Sequence, residues 1–160
     1  MKTALYPGSF DPVTKGHQSI VLRATKLFDR VIIAIGENSD KRYMYSLEER
    51  LLFLQKTFEN EKNISVISYK GLTMDFCKTN NINYIIRGLR SDIDWGMESS
   101  ISYANKLLNP FVETIFLLTE PEFIGISSSA VRDILKHQGD VSAFLPEEIV
   151  QLVSSKQQIV

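Results

Sequence analysis

The sequence predicts an α/β fold with a parallel, doubly wound sheet, and three observations carry that reading. Short apolar, β-rich runs recur along the chain, at 3–6, 30–36, 64–69, 83–88 and 114–119. A longer stretch with helical periodicity follows each of them. The runs are apolar on consecutive residues instead of alternating, so both faces of the sheet must be covered, as in a parallel sheet flanked by helices.

Each element has its own local signals. TALY (3–6) opens the sheet, and the helix predicted over 17–28 places Ile20, Val21, Ala24, Leu27 and Phe28 on one face. RVIIAIG (30–36) is apolar almost throughout. The helix over 46–58 opens with Ser46 and Glu49, a capping box that satisfies two orphan backbone donors. ISVISY (64–69) precedes a short helix at 72–80, and NYIIRG (83–88) precedes a long one at 92–108, stopped by Asn109-Pro110. After TIFLLT (114–119), cap-type serines start a helix over 127–138 that Gly139 ends. Pro146 stands at the expected first position of a last helix over 146–157. Strand-helix units repeated in this way, with two helices at the end, make one Rossmann-like domain over 1–160 with a five-stranded parallel sheet and helices on both faces.

Composition narrows the function. The chain has 160 residues, 44% apolar and 23% charged, an ordinary globular balance for one domain. A net charge of −1 argues against a broad nucleic-acid-binding face, but not against a local cationic pocket. The single cysteine, Cys77, rules out an internal disulfide or a cysteine-built zinc site, and its apolar neighbours read as core. MKTALYPGSFDP has too short an apolar run for a signal peptide, and no run approaches the roughly 18 residues of a membrane span. The expectation is a soluble, cytoplasmic protein with no nucleic-acid or membrane partner.

Ligands of such folds bind beyond the carboxyl ends of the strands, at the point where the strand order reverses. Four segments on that predicted edge suit phosphate. After the first strand, PGSFDPVTKG leads to a helix start at His17, with Ser9 able to donate a hydrogen bond. From its position alone His17 reads first as a surface or capping histidine, and alternatively as an anion contact. Lys41 and Arg42 lie after the second strand, and Arg87 and Arg90 flank Gly88 after the fourth, where two guanidinium forks could meet phosphate oxygens. Glu98 and Asp94 read either as solvated helix residues or as contacts to a ribose or cation. Ser127, Ser128 and Ser129 stand at a second helix start, with Arg132 one turn in. Neither G-x-G-x-x-G nor G-x-x-x-x-G-K-[ST] occurs, and no serine-histidine-aspartate order stands out. The chemistry that fits is electrostatic stabilisation of phosphoryl or nucleotidyl transfer.

TKGH (14–17) resembles the [HT]-x-G-H signature of the nucleotidylyltransferase superfamily, and ISSSAVR (126–132) resembles its ISS-x-x-x-R signature. Together with YPGSFDP, SLEER, IRGLR and HQGDVSAFLP, in that family's order, the chain resembles the bacterial phosphopantetheine adenylyltransferases. The two signatures alone also fit nicotinamide-mononucleotide adenylyltransferases and cytidylyltransferases; YPGSFDP, IRGLR and HQGD argue against both.

The resemblance implies transfer of the adenylyl group of ATP to 4′-phosphopantetheine with Mg²⁺, giving dephospho-coenzyme A and pyrophosphate. It implies catalytic roles for His17, Lys41 and Arg90. For ATP it implies Ser9, Phe10, His17, Gly88, Leu89, Arg90, Glu98 and the segment Phe123, Ile124, Gly125, Ile126, Ser127, Ser128 and Ser129. For the second substrate it implies Ser9, Lys41, Thr73, Arg87 and Asn105. The protein would supply no metal ligands, Mg²⁺ riding mainly on the ATP phosphates. A homohexamer, a dimer of trimers, and feedback by coenzyme A belong to the same expectation. Gly125 stands where the family pattern has phenylalanine, and Met97 where it has an aromatic residue.

Overall fold

In the computed structural model, which describes residues 1–155, the strands are β1 (Thr3–Gly8), β2 (Arg30–Gly36), β3 (Ile64–Tyr69), β4 (Tyr84–Leu89) and β5 (Glu113–Leu118). They form one parallel sheet in the order β3-β2-β1-β4-β5. The chain first steps outward from β1 to β3 and then returns to β4 on the other side, so the direction reverses between β1 and β4. Right-handed crossovers then require the first two helices on one face and the next two on the other.

The helices are α1 (Lys15–Ala24), α2 (Leu47–Thr57), α3 (Thr73–Thr79), α4 (Asp92–Leu108), α5 (Ser128–Lys136) and α6 (Glu147–Ser155), and the first four follow that rule. Alternate strand residues sort to two cores. Ala4, Tyr6, Val31, Ile33, Ile35 and Ile86 pack against Ile20 and Val21 of α1, Phe53 and Leu54 of α2, Val131 of α5 and Ile149 of α6. Leu5, Ile32, Ala34 and Ile85 pack on the opposite face against Met74 and Cys77 of α3. Both faces of β1, β2 and β4 are therefore buried, which is why these strands are apolar on consecutive residues. Cys77 is a core thiol, pushed up to about 11 by burial. Phe53 is fully buried and meets the Tyr45 ring at 5.1 Å. Phe53→Ala is expected to destabilise the fold by about 3–5 kcal/mol, read as a lower urea midpoint with an unchanged slope.

Several boundaries shift from the expected ones. The first helix starts at Lys15 and not at 17, because Thr14 caps it, and it ends at Ala24 and not at 28. His17 therefore occupies the third helical position. The fifth helix ends at Lys136, and Gln138, not Gly139, takes the left-handed conformation (φ 58°). The last helix begins at Glu147, one residue beyond Pro146; residues 156–157 of the expected helix lie outside the described residues. The capping box of Ser46 and Glu49 is present in both directions.

β1 runs two residues further than its apolar pattern, through Pro7 to Gly8. A proline is normally kept out of a central strand because it cannot donate to a ladder. Here the pairing of β1 with β4 stops at Leu5 and Ile85, while pairing with β2 continues to Gly8. Pro7 sits where β1 and β4 part, and that parting opens the switch-point cleft.

Candidate active site

Two clefts adjoin at the carboxyl edge of the sheet. The first, about 310 Å³, is lined by residues of β1 and its loop, α1, β4, α4 and the start of α5. The second, about 530 Å³, is lined by residues of the loop after β2, by Tyr69 and Thr73, and by Ile101 and Asn105 of α4. Pro7, Gly8, Ser9 and Arg87 line both. One wall is thus shared by two cavities, a geometry suited to two ligands whose reacting ends must meet.

The β1–α1 loop is built to hold His17 in one state. Phe10 adopts φ 48° and buries its ring between Tyr6 (5.5 Å) and His17 (5.2 Å). That ring position demands glycine at Gly8, where an added Cβ would come within 2.8 Å of the Phe10 ring. Thr14 and His17 form a reciprocal capping box. Thr14 Oγ1 accepts from the His17 N–H (3.4 Å), and His17 Nδ1 accepts from the Thr14 N–H (3.1 Å). A backbone N–H cannot reverse its role, so Nδ1 must be the unprotonated nitrogen and the proton resides on Nε2. Burial, with Arg90 and Arg87 adding to it, pushes the imidazole down to about 4 and keeps it neutral. The cap and the anion contact are therefore not alternatives: the cap sets the tautomer that leaves a donor for the cleft.

Both arginines of IRGLR are oriented by carboxylates. Arg87 Nε donates to Glu98 Oε2 (2.6 Å), its Nη2 pairs with Oε1, and its Nη1 donates to the Pro7 carbonyl (2.8 Å). Burial disfavours this charge, but the hydrogen bonds and charge of Glu98 outweigh it and raise the guanidinium above its ordinary value. Arg90 pairs with Asp94 through Nε (3.1 Å) and Nη2 (3.2 Å). The Arg90 side chain, with its backbone N–H, holds the Asp94 carboxyl below the usual range. Lys41 Nζ donates to Ser9 Oγ at 3.2 Å, so the Ser9 proton is left for a ligand. Arg42 is exposed and lines neither cleft.

The three serines at α5 divide their work. Ser127 Oγ accepts from the Ala130 N–H as the cap (3.1 Å), and Ser129 Oγ accepts from Arg132 (3.1 Å), so each keeps a proton to donate. Ser128 gives its proton to the Pro12 carbonyl (2.8 Å) and ties the loop. Of the expected ATP contacts, Ser9, Phe10, His17, Gly88, Arg90, Glu98, Ile126 and Ser127 to Ser129 line the first cleft. Leu89 is buried, while Phe123, Ile124 and Gly125 lie beyond the lining, with Phe123 near Gly16. Of the expected second-substrate contacts, Ser9, Lys41, Thr73, Arg87 and Asn105 all line the second cleft. Thr73 Oγ1 is hydrogen-bonded to the Tyr69 hydroxyl at 2.8 Å.

Sequence reasoning assigned no role to Arg50 or Asp11. Arg50 is buried, stacks on Tyr43 at 3.9 Å and donates to the Ser9 carbonyl at 2.9 Å. Its signal was legible: it shares the stripe of Phe53, Leu54 and Thr57 on the buried face of α2, where a lone cation needs partners. Asp11 carried no such periodic signal.

A switch-point cleft with a phosphate-suited helix start, a neutral histidine in its first turn and cations from separate loops defines the class: an α/β nucleotide-binding domain of nucleotidyltransferase type. Comparison with known proteins agrees. A family model described as cytidylyltransferase-like matches residues 5–134. The phosphopantetheine adenylyltransferase of Flavobacterium psychrophilum is 49% identical over 93% of this chain and 98% of its own length. That of Christiangramia forsetii is 48% identical over 93% and 98%, and that of Carboxydothermus hydrogenoformans 46% over 93% and 92%. The chain belongs to the cytidylyltransferase-like family and, within it, to the phosphopantetheine adenylyltransferases.

Proposed function

We propose that this chain transfers the adenylyl group of ATP to 4′-phosphopantetheine, giving dephospho-coenzyme A and pyrophosphate. The observation that carries the reading is the pair of clefts sharing Ser9 and Arg87, in a chain nearly half identical to curated phosphopantetheine adenylyltransferases. ATP fits the first cleft, with its phosphates over the α1 start and the serines of α5. The second substrate fits the other cleft, its phosphate between Lys41, Arg87 and Ser9.

The reaction then needs no covalent enzyme intermediate. An oxygen of the 4′-phosphate attacks the α-phosphorus of ATP, the bond to the bridging oxygen of the β-phosphate breaks, and pyrophosphate leaves with that electron pair. Both reactants are multiply anionic, so alignment and charge neutralisation are the protein's task. His17 Nε2–H donates to an α-phosphate oxygen as negative charge builds there. Lys41 steadies the attacking phosphate and Arg90 the departing one.

Mg²⁺ enters with ATP as part of the substrate and supplies further neutralisation of the phosphates. The donor set supports that role: the first cleft is lined by the cations Arg87 and Arg90 and the hydroxyls of Ser9, Ser127 and Ser129, and its lining carboxylates Asp94 and Glu98 are each paired with an arginine. A site in the cytoplasm, feedback by coenzyme A at the same clefts and a hexamer belong to the same proposal. Exposed Tyr103, Leu107, Phe111 and Leu118 support self-association. Among the described residues, no helix is long and apolar enough to cross a membrane.

The test is pyrophosphate release from ATP and Mg²⁺ over a panel of 4′-phosphopantetheine, nicotinamide mononucleotide and no acceptor. Release is expected with 4′-phosphopantetheine alone. Release with nicotinamide mononucleotide only, or none at all, overturns the reading.

A further inference from the structure

Asp11 is a carboxylate for which the chemistry above has no use. It is 4% exposed and lies in the loop that must receive two multiply anionic substrates. A buried negative charge there opposes both of them unless it is held by the protein and does something for the site.

Its partners come from separate segments. Oδ2 accepts from the Met44 N–H (2.9 Å) and Oδ1 from the Tyr45 N–H (3.0 Å), both in the loop that carries Lys41. Arg132 of α5 donates to the Asp11 carbonyl at 2.7 Å and lies 3.8 Å from Oδ2. The neighbouring bonds of Arg50 to the Ser9 carbonyl and Ser128 to the Pro12 carbonyl brace the same turn from either side. By contrast, Asp40 and Lys41 of the β2–α2 loop bond through their N–H groups only to Asn38, within the loop itself. Met44 and Tyr45 are where that loop is moored.

We propose that Asp11 is a positioning residue that moors the Lys41 loop and the serine-bearing start of α5 to one point, and so sets the spacing of the two clefts. The proposal rests on the functional reading given above. It explains why the charge is tolerated: two backbone donors and Arg132 satisfy it, and none of Asp11, Met44, Tyr45 and Arg132 lines either cleft. It also assigns Arg132 a task, since its guanidinium joins Asp11 to Ser129.

Asp11→Asn tests this. The amide oxygen can accept from one of the two backbone N–H groups, and its own NH₂ then faces the other. Losing a charge-assisted bond of this kind moves the Lys41 end of the second cleft. Per folded molecule, kcat is expected to fall at least about tenfold and KM for 4′-phosphopantetheine to rise about tenfold, while KM for ATP stays within about threefold. Amide exchange at Met44 and Tyr45 is expected to quicken in the same variant. A lowered melting temperature with kcat and both KM values unchanged would leave Asp11 a purely structural residue and overturn the proposal. If the wild-type protein itself released no pyrophosphate, the functional reading would fall, and the mooring would be judged on exchange alone, retained protection at both amides overturning it. Should Asp11→Asn not fold, Asp11→Glu, which keeps the charge but lengthens the arm, is read against the same criteria.

Discussion

His17→Ala is expected to lower kcat by about two powers of ten or more while ATP still binds, because in the proposed mechanism it removes one donor aimed at charge that develops only in the transition state. The size follows from the tautomer. Nδ1 is committed to the Thr14 N–H, so the single proton sits on Nε2 of a ring that lines the first cleft. Alanine also removes half of the capping box, so a parallel loss of stability of about 1 kcal/mol is expected. Turnover assays and calorimetric ATP binding separate the two effects; near-normal kcat would remove His17 from the chemistry. The same residue imposes a pH signature. Its folded-state value of about 4 lies below the ordinary 6.5, so as pH falls the unfolded chain takes the proton first. The stabilisation from keeping His17 neutral is fully present above pH 6.5 and is lost as pH falls toward 4. Urea melts across that window should show a shallower pH dependence for His17→Gln than for the wild type.

Arg87→Ala is expected to be the most damaging single change to the second cleft. Among the described residues, Arg87 is the one lining cation that borders both cavities, and it bonds to both walls, through Pro7 of β1 and Glu98 of α4. Its loss leaves Glu98, 6% exposed, without the arginine that balances it, which costs about 3 kcal/mol or more. It also removes the fork proposed to meet the incoming phosphate, and KM for 4′-phosphopantetheine should rise at least about thirtyfold. The double variant Arg87→Ala/Glu98→Ala separates the two roles. Removing the orphaned carboxylate should restore much of the melting temperature and none of the substrate affinity. Recovery of KM in the double variant would show that Arg87 acts on the fold alone.

Much of this could be read from the chain without its structure. The order of strands and helices was legible because burial on both faces leaves consecutive apolar residues in β2 and β4, whereas helices covering one face keep a 3.6-residue period. The long helix Asp92–Leu108 has the bounds its signals predict, since Ser91 caps one end and Asn109-Pro110 stops the other. The first helix was misjudged at its start because a histidine replaces the usual glutamate as the reciprocal partner of Thr14, so the capping box was not legible as one. The extension of β1 through Pro7 was hidden for a similar reason. A proline reads as a strand end unless one knows that the neighbouring strand has already diverged.

The site divides along the same line. Residue type and position within the strand-helix pattern determined that Ser9, His17, Lys41, Arg87, Arg90 and the serines would gather at one edge, because a parallel sheet places all its carboxyl ends together. Which group holds which is a matter of distances between segments far apart in sequence. Only the tertiary structure decided that Glu98 clamps Arg87, that Ser128 gives its proton to Pro12, and that Asp11 joins Met44, Tyr45 and Arg132. Those bonds join residues that no local period relates, and they exist because the folded backbone brings each donor within reach of its acceptor.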